Sequence, residues 1–180
     1  MAITINGNGT VTGLSVGGLP DGTVDKDTLA AGATAGHGAF RAFRNSAQTI
    51  VHDTWDIVEC ANESFDLQNW YDTSTFKYTP QVAGYYQFDA HIWIAGLSTN
   101  NVELQVAFYK NTTRVTRSCK TDTTTYNNQQ GQGIHDIIQL NGSSDYVQLR
   151  LLQYNSSSSN RDLSYGTELT YFSGFLLEAT

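Results

Sequence analysis

The chain has 180 residues and a formal net charge of −7, from 10 Lys and Arg against 17 Asp and Glu. That balance excludes the clustered basic surface a nucleic-acid backbone needs. No apolar run approaches the roughly 18 residues of a membrane span, so neither nucleic acid nor membrane insertion is expected.

The length suits one domain of ordinary size plus a short extension. With 39% hydrophobic residues, 10 Tyr, 8 Phe and 3 Trp, it can bury a sizeable core. Charged residues are 15% of the chain, below the roughly 25% of an average domain. Thr, Ser and Asn fill the polar positions, as in many extracellular and virion β-proteins. Residues 1–6 have neither the basic nor the apolar stretch of a secretory leader, so synthesis in a cytoplasm is expected. Cys60 and Cys119 are the two cysteines, and both are expected to stay reduced.

Residues 1–36 stand apart. They hold no aromatic residue and, beyond Ile3 and Ile5, no large apolar periodicity. A segment so poor in large side chains cannot bury enough surface to fold alone. It reads as an extended docking arm that orders against partners, with one short helical turn over residues 23–32 stopped by Gly32.

From residue 37 the pattern is β. Phe40, Ala42 and Ile50 open an alternating region, and Trp55, Ile57 and Phe65 mark a second over residues 55–66. Phe76-Lys77-Tyr78-Thr79 is a short strand closed by Pro80. Gly84 opens a long one, with Tyr86, Phe88, Ala90, Ile92 and Ile94 on one face. Tyr85, Gln87, Asp89, His91 and Trp93 share the other face. Residues 102–115 form a strand pair turning at Lys110-Asn111-Thr112-Thr113. Residues 134–140 and 146–152 flank Asn141-Gly142, a strong hairpin signal. Serines 156–159 form a loop tip, and residues 163–177 read as the final strand. About eight strands without a long helix predict an all-β two-sheet sandwich or jelly roll over residues 37–180.

Residues from about 38 to 179 resemble the globular head of complement component 1q, among the tumour-necrosis-factor-like jelly rolls. The pieces that carry the resemblance are Phe65-Asp66, Phe76, Tyr78-Thr79-Pro80, Gly84-Tyr85-Tyr86-Gln87-Phe88 and Tyr109-Lys110-Asn111. Leu140-Asn141-Gly142, Val147-Gln148-Leu149 and Phe172-Ser173-Gly174-Phe175-Leu176-Leu177 complete the set. The resemblance implies a jelly roll that assembles as a homotrimer, with Phe172 and Leu176 turned toward neighbouring subunits. No Gly-X-Y stalk precedes the head. Residues 18–33 instead are similar to segments of bacteriophage tail-fibre and other virion proteins.

Gly13-Leu14-Ser15-Val16-Gly17 matches the nucleophile-elbow pattern, but a Gly-rich arm without a following helix reads as linker. His37, His52, His91 and His135 sit in no zinc frame. The loose acidic pairs Asp53/Asp56, Asp66/Asp72 and Asp136/Asp145 lack the calcium-loop pattern. No cofactor and no metal are therefore expected, and calcium has no motif behind it. Asn8, Asn62, Asn111, Asn141 and Asn155 head Asn-x-Ser/Thr sequons, which a Thr-, Ser- and Asn-rich chain produces by chance. Trp70 and Tyr71 have two readings: a platform for a sugar face, or a cap on the sandwich end. With Asn127 and Asn155, in polar loops, they are the candidate ligand-facing residues.

Together these features lead to the expectation of a non-enzymatic bacteriophage virion protein, the trimeric head of a tail fibre or host-recognition appendage. Its expected partners are itself, other virion proteins through the arm, and host surface polysaccharide. The alternatives are a trimeric capsid decoration protein whose arm laces capsomers, and a secreted binding module.

Overall fold

The structure is a computed structural model and describes residues 4–5, 11–12, 38–95, 102–122 and 129–180. The chain divides into two units, Met1–Ala35 and Gly36–Thr180. In the first, β1 (Thr4–Ile5) and β2 (Val11–Thr12) pair antiparallel, with Ile5 opposite Val11. The expected helical turn at residues 23–32 and the pentapeptide at 13–17 lie outside the described residues.

Every described element of the second unit is a strand. In chain order these are β3 (Phe40–Phe43), β4 (Gln48–Ile50), β5 (Asp56–Ile57), β6 (Asn62–Asp66), β7 (Tyr71–Asp72), β8 (Lys77–Tyr78) and β9 (Ala83–Ala95). They continue with β10 (Val102–Lys110), β11 (Thr113–Asp122), β12 (Gln129–Asn141), β13 (Val147–Tyr154), β14 (Arg161–Leu163) and β15 (Tyr171–Ala179). Two antiparallel sheets result. The first runs β4-β14-β9-β15-β3-β6, with β12 on the free side of β9. The second runs β11-β10-β13-β8-β7, with β5 also paired to β13.

Residue chemistry dictates much of this. The period-2 pattern of β9 buries Tyr86, Phe88, Ala90, Ile92 and Ile94 and leaves Tyr85, Gln87, Asp89, His91 and Trp93 outside. The β10–β11 hairpin turns where expected, with Asn111 at φ 56°, a left-handed conformation Asn tolerates. The Asn141-Gly142 turn exists, with Gly142 at φ 68°, but it is not a hairpin. β12 pairs with β9 and β13 with β10, so the turn carries the chain from one sheet to the other. Asn141 Oδ1 accepts the N–H groups of Ser143, Ser144 and Asp145, each at 3.0 Å, and makes the crossing tight.

Two other elements differ from expectation. Residues 55–66 split into β5 in the second sheet and β6 in the first. The expected final strand breaks into β14 and β15. Thr170 closes the intervening loop by donating its hydroxyl to Ser164 O at 2.7 Å.

The core is an aromatic cluster shared by both sheets. Phe40 of the first sheet stacks on Tyr78 and Tyr71 of the second, with centroids 4.3 and 5.2 Å apart. Phe172 meets Phe40 edge-on at 4.9 Å, and lies 5.7 Å from both Phe88 and Phe108. Offset and edge contacts of this kind add stabilisation beyond area burial. A Cβ on Gly174 would stand 2.6 Å from the Phe88 ring, so this close approach requires glycine.

This packing corrects the expected trimer contacts. Phe172 is 1% exposed and Leu176 3% exposed, both inside the protomer's own core. The reason is register: Phe172 pairs with Ala90 and Leu176 with Tyr86, which places both on the buried side of β9. The outward residues of β15 are Tyr171, Ser173, Phe175 and, at the bulge, Leu177. Phe172→Ala is expected to destabilise the fold by about 3–5 kcal/mol, while Ser173→Ala stays within about 0.5 kcal/mol. Urea unfolding of the two variants followed by tryptophan fluorescence measures the difference.

Candidate functional site

Of the expected ligand-facing residues, Tyr71 and Asn155 are buried and Trp70 is half-buried. Asp66 organises the turn before β7 by accepting the Tyr71 N–H on Oδ2 at 2.7 Å and the Gln68 N–H on Oδ1 at 3.3 Å. Tyr71 is thereby buried and donates its hydroxyl to Cys60 O at 3.0 Å. Trp70 is half-buried against Tyr78, with ring centroids 6.2 Å apart. Both residues cap the sandwich, the second of their two readings, and Tyr71, being buried, offers no platform to a sugar. Asn155 is fully buried and donates Nδ2 to Gln153 Oε1 and Ser159 O, both at 2.7 Å. It locks the serine-rich loop from within and is not ligand-facing. Asn127 and His37 lie outside the described residues.

The remaining histidines scatter. His91 approaches Leu169 O through Nδ1 at 2.8 Å, between the rings of Tyr171 and Trp93. His52 lies 4.9 Å from the Tyr154 ring, and His135 is exposed on β12. Among the described residues, no three His, Cys, Asp or Glu side chains gather as metal ligands.

Two surfaces do carry recognisable chemistry. The first is the outer face of the first sheet. Ile137, Gln87 and Phe175 form one row across β12, β9 and β15. His135, Asp89, Ser173, Arg41 and Phe65 form the next, continuing through β3 to β6. Ile137, Phe175, Phe65 and the adjacent Tyr85 are exposed large side chains. A groove of about 410 Å³ opens there, lined by Phe40, Arg41, Phe65, Asp89, Gly174 and Phe175. Several exposed large apolar side chains gathered on one sheet face are the kind of surface that interaction sites use.

The second surface lies where β4, β5 and β13 meet. A cavity of about 630 Å³ is lined there by Gln48, Trp55, Asp56, Ile57, Glu59 and Arg150. Arg150 stacks over Tyr109 with its guanidinium carbon 4.4 Å from the ring centroid. Tyr109 meets Trp55 edge-on at 5.9 Å, and Arg114 lies 5.2 Å over the indole. The buried Arg44 fixes the far wall by donating to Glu59 O, to Ser46 O at 3.0 Å and to Ala47 O at 3.2 Å. In the sequence Trp55 opens a strand region; in the structure it stands just before β5, half-buried at the cavity wall. The signal that marks that place is a Trp beside Asp56, with Asp53 and Glu59 nearby, in a stretch where alternation is weak.

A two-sheet antiparallel jelly roll with an apolar outer face and polar loops is the architecture of the complement-head and tumour-necrosis-factor-like domains. Residues 39–177 match the family model described as C1q domain, and the chain belongs to that family. Among solved structures, it is similar to the globular domain of zebrafish complement 1qA protein, with 16% identity and TM-score 0.57. That match covers 79% of this chain and 99% of the other. Eiger TNF from S. frugiperda matches with 10% identity and TM-score 0.58, covering 80% of this chain and 93% of the other. Murine APRIL matches with 10% identity and TM-score 0.57, covering 78% and 99%. No curated protein matches the chain in sequence. The resemblance read from the head is thus borne out, as is the all-β jelly roll. Domains of this class are generally non-enzymatic binding modules and often homotrimers.

Cys60 and Cys119 are both free, the first buried and the second exposed. Burial pushes the Cys60 thiol up to about 12 despite the opposing Arg44 charge, which keeps it from forming thiolate. Iodoacetamide at pH 8 is expected to modify Cys119 in the native chain and both thiols in urea, as counted by intact mass. Modification of Cys60 under native conditions would contradict the buried placement.

Proposed function

We propose that the chain is a homotrimeric binding head, assembled through the outer face of its first sheet, on a bacteriophage tail fibre or host-recognition appendage. The observation that carries the assembly is the exposed apolar surface around Ile137 and Phe175. Leaving such side chains in water costs on the order of 1–3 kcal/mol each relative to burial, and a threefold arrangement buries one copy's surface against the next. Family membership supports a homotrimer. The aromatic-free residues 1–36 are the docking arm toward other virion proteins, and the head faces host surface polysaccharide.

Light scattering tests the assembly. Three 19.8 kDa chains give about 59 kDa. The double variant Ile137→Glu, Phe175→Glu is expected to be a soluble monomer, because both side chains are solvent-facing in the protomer and like charges would meet across the interface. A wild-type monomer would remove the trimer.

Immunogold labelling of particles tests the location. Label at the tail is the expected result. Label over the capsid shell would replace the appendage with a decoration role, and particles without label would remove the virion assignment.

A further inference from the structure

The cavity between β4, β5 and β13 belongs to neither the aromatic core nor the apolar sheet face. None of its lining residues lies on β9, β12 or β15, so assembly through the first sheet's outer face leaves it free. Its volume of about 630 Å³ falls in the range of small-molecule sites.

The walls are fixed by contacts inside the protein. Gln48 bridges them, donating Nε2 to Ile57 O at 2.7 Å and accepting the Glu59 N–H on Oε1 at 3.1 Å. Asp56 accepts the Val51 N–H on Oδ2 at 2.7 Å. Glu59 meets Arg44 through Oε2 at 3.5 Å. Each carboxylate is thus held by one oxygen, leaving Oδ1 of Asp56 and Oε1 of Glu59 as acceptors. Arg150 is positioned by the Tyr109 ring and by Gln148, whose Oε1 accepts its Nη2–H at 3.3 Å. Its Nε is buried without an acceptor, and it makes no ion pair with a described carboxylate. Trp55 is held by Tyr109 and Arg114, neither of which lines the cavity.

We propose that this cavity is a saccharide subsite that takes a neutral pyranose unit. It deepens, and rests on, the reading of the chain as a glycan-binding head. An indole wall suits the C–H face of a sugar ring. Carboxylate oxygens accept from hydroxyls, and a guanidinium donates to them, so vicinal hydroxyls are matched by opposite hydrogen-bonding roles at Asp56, Glu59 and Arg150. Charge selects the class of sugar. Asp56 and Glu59 are matched by Arg150 and by the Arg44 that pairs with Glu59, so the lining has no surplus positive charge to draw in a uronate or sulfated unit. Three copies on a trimer would raise the avidity for a repeating polysaccharide above that of one subsite.

The test is a titration of the ¹⁵N-labelled full chain with the methyl pyranosides of glucose, galactose, mannose and N-acetylglucosamine, to about 50 mM. Glucuronate is the charged probe. That range reaches the weak affinities of single small ligands. At least one neutral pyranoside is expected to shift the Trp55 indole N–H resonance and leave those of Trp70 and Trp93 in place. Glu59→Gln, at an exposed residue, and Trp55→Ala are each expected to weaken that binding about tenfold or more. Three results would overturn the subsite: no neutral sugar moving the Trp55 resonance, glucuronate binding more tightly than the neutral sugars, or both variants binding as the parent does. A trimer that decorates tails without a Trp55 shift would overturn the subsite alone. A monomer in which Trp55 still responds would overturn the assembly alone.

Discussion

The aromatic cluster that joins the sheets governs the rest of the molecule. Phe40, Phe88 and Phe172 enter from the first sheet, and Tyr71, Tyr78 and Phe108 from the second. Large planar rings at offset and edge-on contacts set the sheet separation and fix the register of β15 against β9. The polar ends of the tyrosines are satisfied at the rim, where Tyr78 donates to Gly38 O and Tyr86 to Val82 O at 2.7 Å. Burying these hydroxyls without acceptors would cost about 1–3 kcal/mol each. Because Phe172 and Leu176 are committed inward, the alternate residues of β15 are left to the outside. The exposed face around Phe175 is therefore a direct consequence of how the core is filled.

What the sequence made legible follows from short-range physics. Strict alternation from Tyr85 to Ile94 states both the strand and its buried side, and Lys110-Asn111-Thr112-Thr113 states a turn whose left-handed residue is Asn. Sheet membership was not legible, because Asn141-Gly142 looks the same whether it closes a hairpin or carries the chain between sheets. The two apolar faces of β15 were equally ambiguous: period 2 separates Phe172 and Leu176 from Tyr171 and Phe175, but only the partner register says which set faces in. Trp70 kept two readings, and Asn155 was placed facing a ligand, for a related reason. A loop aromatic or amide in sequence carries no sign of the core ring or serine carbonyl it will meet, and those contacts decide whether it serves a ligand or the fold.

The outer faces of the two sheets have opposite characters. The first presents apolar side chains interrupted by Gln87, Asp89 and His135. On the second, Ala107 sits between Arg150 and Arg117 in one row, with Tyr109 and Arg114 in the next. Ala107, between the two arginines of its row, is fully buried. Guanidinium groups over aromatic rings keep an ordered geometry without using a carboxylate. In a chain of net charge −7, arginines so held remain hydrogen-bond donors, in contrast to Lys110, which is engaged by Asp145 at 2.9 Å.

The cavity at Trp55 draws on both sheets, since Gln48 stands on β4 of the first and Asp56, Ile57 and Arg150 on β5 and β13 of the second. Its shape is therefore inherited from the sandwich itself. The Gln48 bridge to Ile57 and Glu59 ties the two sheets together at the cavity wall. This arrangement separates three functions by residue. Ring contacts around Phe172 hold the fold, solvent-facing rows around Ile137 and Phe175 are available for assembly, and side chains at the sheet junction are available for a ligand. Sites with no shared partners contribute additively, so substitutions in one set are expected to leave the other two intact. That independence is what makes a β sandwich tolerant of new binding chemistry at its edges.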